Sequence, residues 1–186
     1  EMLKEFSLER VQKGGAIFNL DKLKWLNGLY IKKFKTRELA LRLKEFAANL
    51  ADEINSDPGK WLKIAKLLRE RLTNLNEAGE MAEYFYKDPF YVKELLFWKA
   101  NQPAENIVRH LKHIHAFMLK TTKWGRKELK AGLMLYAEKE GRGEVLWPFR
   151  VALSGRQASA GPFEIAEILG KKESIKRVKK AITLLS

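Results

Sequence analysis

The stretch "NQPAENIVRHLKHIHAFMLKT", residues 101–121, sets the fold class. Ile107, Leu111, Ile114 and Met118 recur at steps of four, three and four, the period of one helix face, and Pro103 suits the first helical turn. A long amphipathic helix of this kind needs apolar faces opposite it, and the flanking sequence supplies them. Downstream, "GRKELKAGLMLYAEKEG" (125–141) predicts a helix ending at Gly141, and "GPFEIAEILG" (161–170) one that Pro162 starts and Gly170 caps. In "ESIKRVKKAITLLS" (173–186) the expected inward residues are Ile175, Val178, Ile182 and Leu185.

Upstream, "TRELALRLKEFAANLADEI" (36–54) places Leu39, Leu43, Phe46 and Leu50 on one face, with Thr36 as the expected N-cap. Asp57-Pro58-Gly59 ends that helix, and residues 60–88 predict a helix, a break near Asn74–Asn76, and a second helix rich in aromatic residues. Before these, "GGAIFNLDKLKWLNGLYIKKF" (14–34) has Asn19 or Asp21 as a cap, Leu23, Trp25 and Leu26 as a short apolar face, and Asn27-Gly28 as a stop. Strand signals are nearly absent, so the expected fold is all-α: a helical bundle of two packed helical subdomains. No internal repeat or low-complexity tract interrupts it.

Among 186 residues, 36 Lys and Arg against 23 Asp and Glu leave a formal charge of +13, which favours a polyanionic partner, nucleic acid first. The chain has no cysteine, which excludes disulfides, thiolate catalysis and Cys-ligated zinc and agrees with a cytoplasmic location. No apolar run approaches a membrane span of about 20 residues, and "EMLKEFSLER" is too charged for a signal sequence. An acidic start without Met points to a piece of a longer protein.

Catalytic constellations are missing: no Gly-rich phosphate loop and no serine in a nucleophile elbow. The three histidines, His110, His113 and His115, share one helix. At about 100° per residue His113 points away from the stripe while the other two flank it, so boundary histidines outweigh a metal site. Glu80/Glu83 and Glu164/Glu167 fall at helical spacing as solvated faces do. No catalytic residue and no metal ligand is assigned.

The cations say more. On the helix carrying Trp61, Ile64, Ala65, Leu68 and Leu72, the residues Lys63, Lys66 and Glu70 lie opposite the stripe, and Arg69 is explained as solvated. Arg71 sits at the stripe's edge, so it either lays its stem along apolar surface or aims at a ligand; spacing alone favours the first. Lys176, Arg177, Lys179 and Lys180 stand opposite the core face of the last helix, and Lys123 and Arg126 lie in the basic run "KTTKWGRKELK" (120–130); all six are candidate phosphate contacts. Between residues 154 and 161 a run of small residues around Arg156 would let a flat ligand approach backbone, though a plain helix connection explains it as well.

Three blocks, "FNLDKLKWLNGLYI" (18–31), "LLRERLTNLNEAGEMAEYFYKD" (67–88) and "LWPFRVALSGRQASAGPFEIAEILGKKESIKR" (146–177), together resemble the C-terminal half of bacterial-type glutamyl-tRNA synthetases. The resemblance runs from about residue 6 to the end and is weak between roughly residues 90 and 135. It implies a class I aminoacyl-tRNA synthetase, a ligase of translation whose ATP- and Mg2+-using catalytic domain lies upstream, so that this chain alone is inactive and holds no cofactor. It further implies residues 1–34 as the end of a stem-contact region, 35–88 and 89–186 as two helical anticodon-binding subdomains, and tRNA(Glu) and the upstream catalytic domain as partners of a monomer that touches no membrane. By the same resemblance Arg71, Arg150, Ser159, Ala160, Gly161 and Pro162 contact anticodon bases, Arg71 the third base, while Arg156 touches phosphate at most. Ala160 stands where relatives often have proline. The competing readings are a helical protein-interaction module and a non-specific RNA-binding domain.

Overall fold

Asn19 starts the first helix: its side-chain carbonyl accepts the Lys22 N–H at 3.0 Å. In the computed structural model, which describes residues 19–186, this helix is α1 (Leu20–Lys33). Asp21 in its first turn and Lys32 and Lys33 in its last complement the helix dipole. It runs through Asn27-Gly28, where a stop was expected, and buries only Gly28 and Ile31. The predicted apolar face of Leu23, Trp25 and Leu26 is exposed. Expectations for residues 1–18 lie outside the described residues.

The helix expected over 36–54 is broken. α2 (Thr36–Glu45) ends at Phe46, a 3-10 turn covers Ala48–Leu50, and α3 (Ala51–Ser56) follows. Lys35 holds the N-cap position and Thr36 is already helical. The break has a packing cause. Gly79 lies so close that a Cβ there would stand 2.9 Å from the Phe46 carbonyl, so the chain at 46–47 bends to receive the helix carrying that glycine. Leu39, Leu43 and Leu50 are buried as expected, while Phe46, at the bend, is 40% exposed.

α4 (Pro58–Leu68) begins as its sequence requires, with Pro58 in the first turn and Asp57 accepting the Lys60 N–H at 2.8 Å. Its whole predicted stripe is buried, and Trp61 Nε1 donates to the Ala40 carbonyl at 2.8 Å, fastening α4 to α2. The helix ends at Leu68. Arg71 stands in the turn beyond, before α5 (Ala78–Glu83).

An extended segment and a 3-10 turn (Lys93–Leu96) lead to the second group: α6 (Ala104–Lys120), α7 (Arg126–Glu140), α8 (Arg142–Ser154), α9 (Pro162–Leu169) and α10 (Lys171–Leu185). The ten α-helices leave no strand among the described residues, and none of these helices is long and apolar enough to cross a membrane. α8, for which the sequence pattern predicts no helix above, is the central helix: it packs against α6, α7, α9 and α10, and Val145, Phe149, Val151, Ala152 and Leu153 are fully buried. Pro148 lies inside it and removes one intrahelical hydrogen bond, which hides the helix from a local reading. On α6 the predicted stripe is completely buried, His110 Nδ1 lies 2.8 Å from the Tyr136 hydroxyl, and His113 stacks on the Tyr136 ring. Among the described residues no three His, Cys, Asp or Glu side chains cluster as a metal site needs.

The inward face of α10 is rotated from the expected one. Ser174, Arg177, Val178 and Ala181 are buried, while Ile175, Ile182 and Leu185 are partly so. Arg177, a candidate phosphate contact by sequence, is therefore corrected: it is 3% exposed and spends its guanidinium inside the fold. It donates to the carbonyls of Tyr84 and Leu153 at 2.6 Å each and of Lys87 at 3.0 Å, and to Glu173 at 2.7 Å. Two of these carbonyls belong to the C-terminal ends of α5 and α8, where helices leave acceptors unpaired and a cation is favoured.

Candidate nucleic-acid interface

Gly155 opens the loop between α8 and α9. It adopts φ +66°, left-handed, and a Cβ there would lie 2.7 Å from Pro89 Cβ. Gly155→Ala is expected to lower the free energy of unfolding by about 2–4 kcal/mol, adding the left-handed penalty to overpacking; equilibrium urea unfolding would detect it.

Past that glycine, two arginines converge on one residue. Arg71 Nη2 donates to the Ser159 carbonyl at 2.7 Å, and Arg150 Nη1 donates to the Ser159 hydroxyl at 3.0 Å while its Nη2 donates to the Gln157 carbonyl at 2.9 Å. The Arg150 guanidinium also lies over the Trp147 ring, 4.5 Å from its centre. Burial lowers the pKa of Arg150, and the Arg71 charge adds to that. Beneath the loop the buried Tyr84 phenol is pushed up by burial, opposed by a backbone hydrogen bond from Ala160 and by the charges of Arg71, Arg156 and Arg150. Arg150 thus fixes the shape of the loop, and Arg71 is held at its edge by one N–H. That is the one side-chain hydrogen bond of Arg71 among the described residues, so most of its fork stays open.

Arg71 opens onto a groove of about 540 Å³ between α4 and α9, walled also by Lys63, Lys66, Arg69 and Arg126, with Ala160 and Gly161 at one end. Five cations there face the carboxylates of Glu70, Glu164 and Glu167. Arg126 pairs with Glu164 at 2.8 Å, and its backbone N–H donates to Glu167 at 3.2 Å, so two carboxylates of α9 hold the N-terminus of α7. Ala160 and Pro162 are buried, while Ser159 and Gly161 are partly exposed.

The predicted residues do not all gather here. Arg71, Ala160, Gly161 and Arg126 line the groove, with Ser159 and Arg150 behind the loop and Pro162 at the start of α9. Lys123 is exposed outside it. Arg156, expected at a phosphate, instead reaches back to α5, pairing with Glu80 at 2.6 Å and Glu83 at 3.4 Å. Lys176, Lys179 and Lys180 line a different groove, and Lys176 is tied to Asp88 at 2.9 Å, which holds that carboxyl below its usual range. By spacing alone Lys63, Lys66 and Arg69 are plain surface charges. Lys63 and Lys66 are exposed on α4 as expected, whereas Arg69, in the turn after it, is only 26% exposed and donates to the Phe34 carbonyl; the tertiary placement of α9 turns that outer flank into a wall.

Residues 38–182 match the family model described as an anticodon binding domain. The chain is 33% identical over 186 residues to a glutamate–tRNA ligase of Thermus thermophilus, covering 98% of this chain and 38% of that protein. It is 34% identical to the glutamate–tRNA ligase of Clostridium kluyveri, again over 38% of the relative's length. Among solved structures, a glutamate tRNA ligase from Elizabethkingia meningosepticum superposes with a TM-score of 0.77 at 27% identity, over 100% of this chain and 36% of that one. The chain therefore spans little more than a third of the proteins it matches.

Proposed function

The chain belongs to the family of anticodon-binding domains, in the form found in glutamate–tRNA ligases, and from that premise we propose that it grips the anticodon loop of tRNA(Glu) in the groove beside Arg71. The observation that carries this reading is the Arg71 guanidinium, anchored by one hydrogen bond to the Ser159 carbonyl with the rest of its fork open to the groove. RNA sequence is read where bases are splayed from the stack, and an anticodon loop presents such bases. Arg71 meets the edge of the third base through its free N–H groups. Ser159, Ala160, Gly161 and Pro162 form the edge of the groove beside Arg71, and a base reaches the backbone at Gly161 once the flexible Glu164 carboxylate in front of it swings aside. Arg150 contributes by stiffening the loop in advance, which reduces the ordering cost of binding.

Lys63, Lys66, Lys123 and Arg126 supply sequence-independent affinity by neutralising phosphates around the loop. Residues 1–34 form the end of a stem-contact region, and 35–88 and 89–186 are the two helical units that hold the anticodon. A catalytic domain upstream of this chain attaches glutamate to the tRNA in the cytoplasm, the whole protein acting as a monomer. ATP and Mg2+ serve that upstream domain, and no step of the reaction runs through residues of this chain.

Binding of transcribed tRNA(Glu), tRNA(Gln) and an unrelated tRNA at two salt concentrations tests the reading. The expected result is tightest binding to tRNA(Glu), weakening for all three as salt rises. Lys63→Ala or Lys66→Ala is expected to weaken every tRNA alike and to reduce the salt slope by about 1. Equal affinity for all three tRNAs would leave the groove as electrostatic footing alone and sink the proposal.

A further inference from the structure

Between α5 and the following 3-10 turn, exposure alternates along the chain: Pro89 is buried, Phe90 exposed, Tyr91 half-buried and Val92 exposed. Tyr91 packs partly on the core, while Phe90 is 94% exposed and Val92 60% exposed. Alongside, α10 presents Lys176, Lys179, Lys180 and Leu184 on one face. The two elements enclose an open groove of about 750 Å³, which shares no residue with the groove at Arg71. Its lining is apolar at Pro89, Tyr91 and the 45% exposed Leu184, with the Phe90 ring projecting beside them, and cationic at the three lysines. Lys176 is engaged by Asp88 and Glu173, but Lys179 and Lys180 have no carboxylate at ion-pair distance among the described residues.

We infer that this groove docks an acidic amphipathic segment of a partner protein, its apolar side chains against Phe90 and Leu184 and its carboxylates on Lys179 and Lys180. Charge complementarity selects the occupant. A chain of net charge +13 steers acidic partners toward it, and two uncommitted ammonium groups beside an apolar floor match a surface that is apolar in the middle and anionic at the edge. Single-stranded RNA fits less well, because it is held by several exposed aromatic platforms in a polar basic channel, and here only Phe90 stands free, beside the half-buried Tyr91, proline and aliphatic carbon. From Lys176 to Leu184 the α10 face is about 12 Å long, two turns of an opposing helix, which makes the contact a small, transient one.

The test pans a library of displayed random 16-residue peptides on the full chain, after depletion on the bare support. Enriched peptides are expected to pair apolar residues at helical spacing with Glu or Asp flanks. Their affinity is expected to fall at least tenfold with Phe90→Ser and with the double variant Lys179→Glu/Lys180→Glu. Phe90 is almost wholly exposed, so its replacement leaves the fold intact, which a thermal melt checks, and tRNA binding is expected to be unchanged. Enrichment without acidic residues, enrichment insensitive to Phe90→Ser, or none at all would overturn the inference. So would a 12-residue uridine strand whose binding is lost in both variants while the peptides' is not.

Discussion

Arg177→Met is expected to lower the free energy of unfolding by about 3–5 kcal/mol, the range for removing one partner from a buried charged cluster. Methionine fills much of the arginine's volume, so the loss is polar and not a cavity effect. Three backbone carbonyls, those of Tyr84, Lys87 and Leu153, lose their donor, and the Glu173 carboxylate loses its cation. Each stranded acceptor in a dry site costs about 1–3 kcal/mol, and water reaching the Lys87 end relieves part of the sum. A domain's whole stability is about 5–15 kcal/mol, so the variant is expected to sit near its folding threshold. Arg177→Lys is expected to recover less than half, because one ammonium cannot span carbonyls that the planar fork bridges together. The measurement is urea unfolding of both variants. A loss below about 1 kcal/mol in Arg177→Met would mean that the carbonyls find water and that the joint is dispensable.

The second large effect falls on specificity. Arg71→Gln is expected to shrink the ratio of tRNA(Glu) to tRNA(Gln) affinity by roughly tenfold to over a hundredfold, the 1–3 kcal/mol that a bidentate base contact supplies. The Arg71 side chain is exposed and, among the described residues, hydrogen-bonds the fold only through the Ser159 carbonyl, so stability is expected to change little. Arg71→Lys separates charge from geometry: it keeps the salt dependence of binding yet is expected to lose most of the discrimination, since a point charge has no fork to match a base edge. If neither variant changes the ratio, Arg71 is a tether for the loop and the reader of the third base lies elsewhere.

Local sequence carried the helices whose apolar stripes were uninterrupted. The faces on α4 and α6 are buried residue for residue, because each helix meets its neighbours along one clean stripe. It failed where tertiary contacts bent or rotated an element. The bend at Phe46 answers to Gly79, more than thirty residues on, and α8 continues through Pro148 because its neighbours hold it on four sides. On α10 the rule that charge faces water hid the true inward face, since an arginine with four acceptors is as settled inside as a leucine. The candidate interface was half legible. Arg71 stood out by azimuth, and the loop by its small residues. Lys63, Lys66 and Arg69 gained meaning only from α9, and Arg156 lost its expected role to Glu80 and Glu83, partners that no local pattern names.

Arg177 grips main-chain oxygens on both sides of residue 88, and main-chain oxygens are the same in every residue. The joint therefore reads the path of the chain and is indifferent to the side chains along it. Over evolutionary time the sequence at 84–87 and at 153 is free to drift as far as local packing allows, provided the arginine and the backbone course persist. For the same reason a chimera spliced at residue 88 from two relatives is expected to keep this joint whenever the arginine travels with the second half.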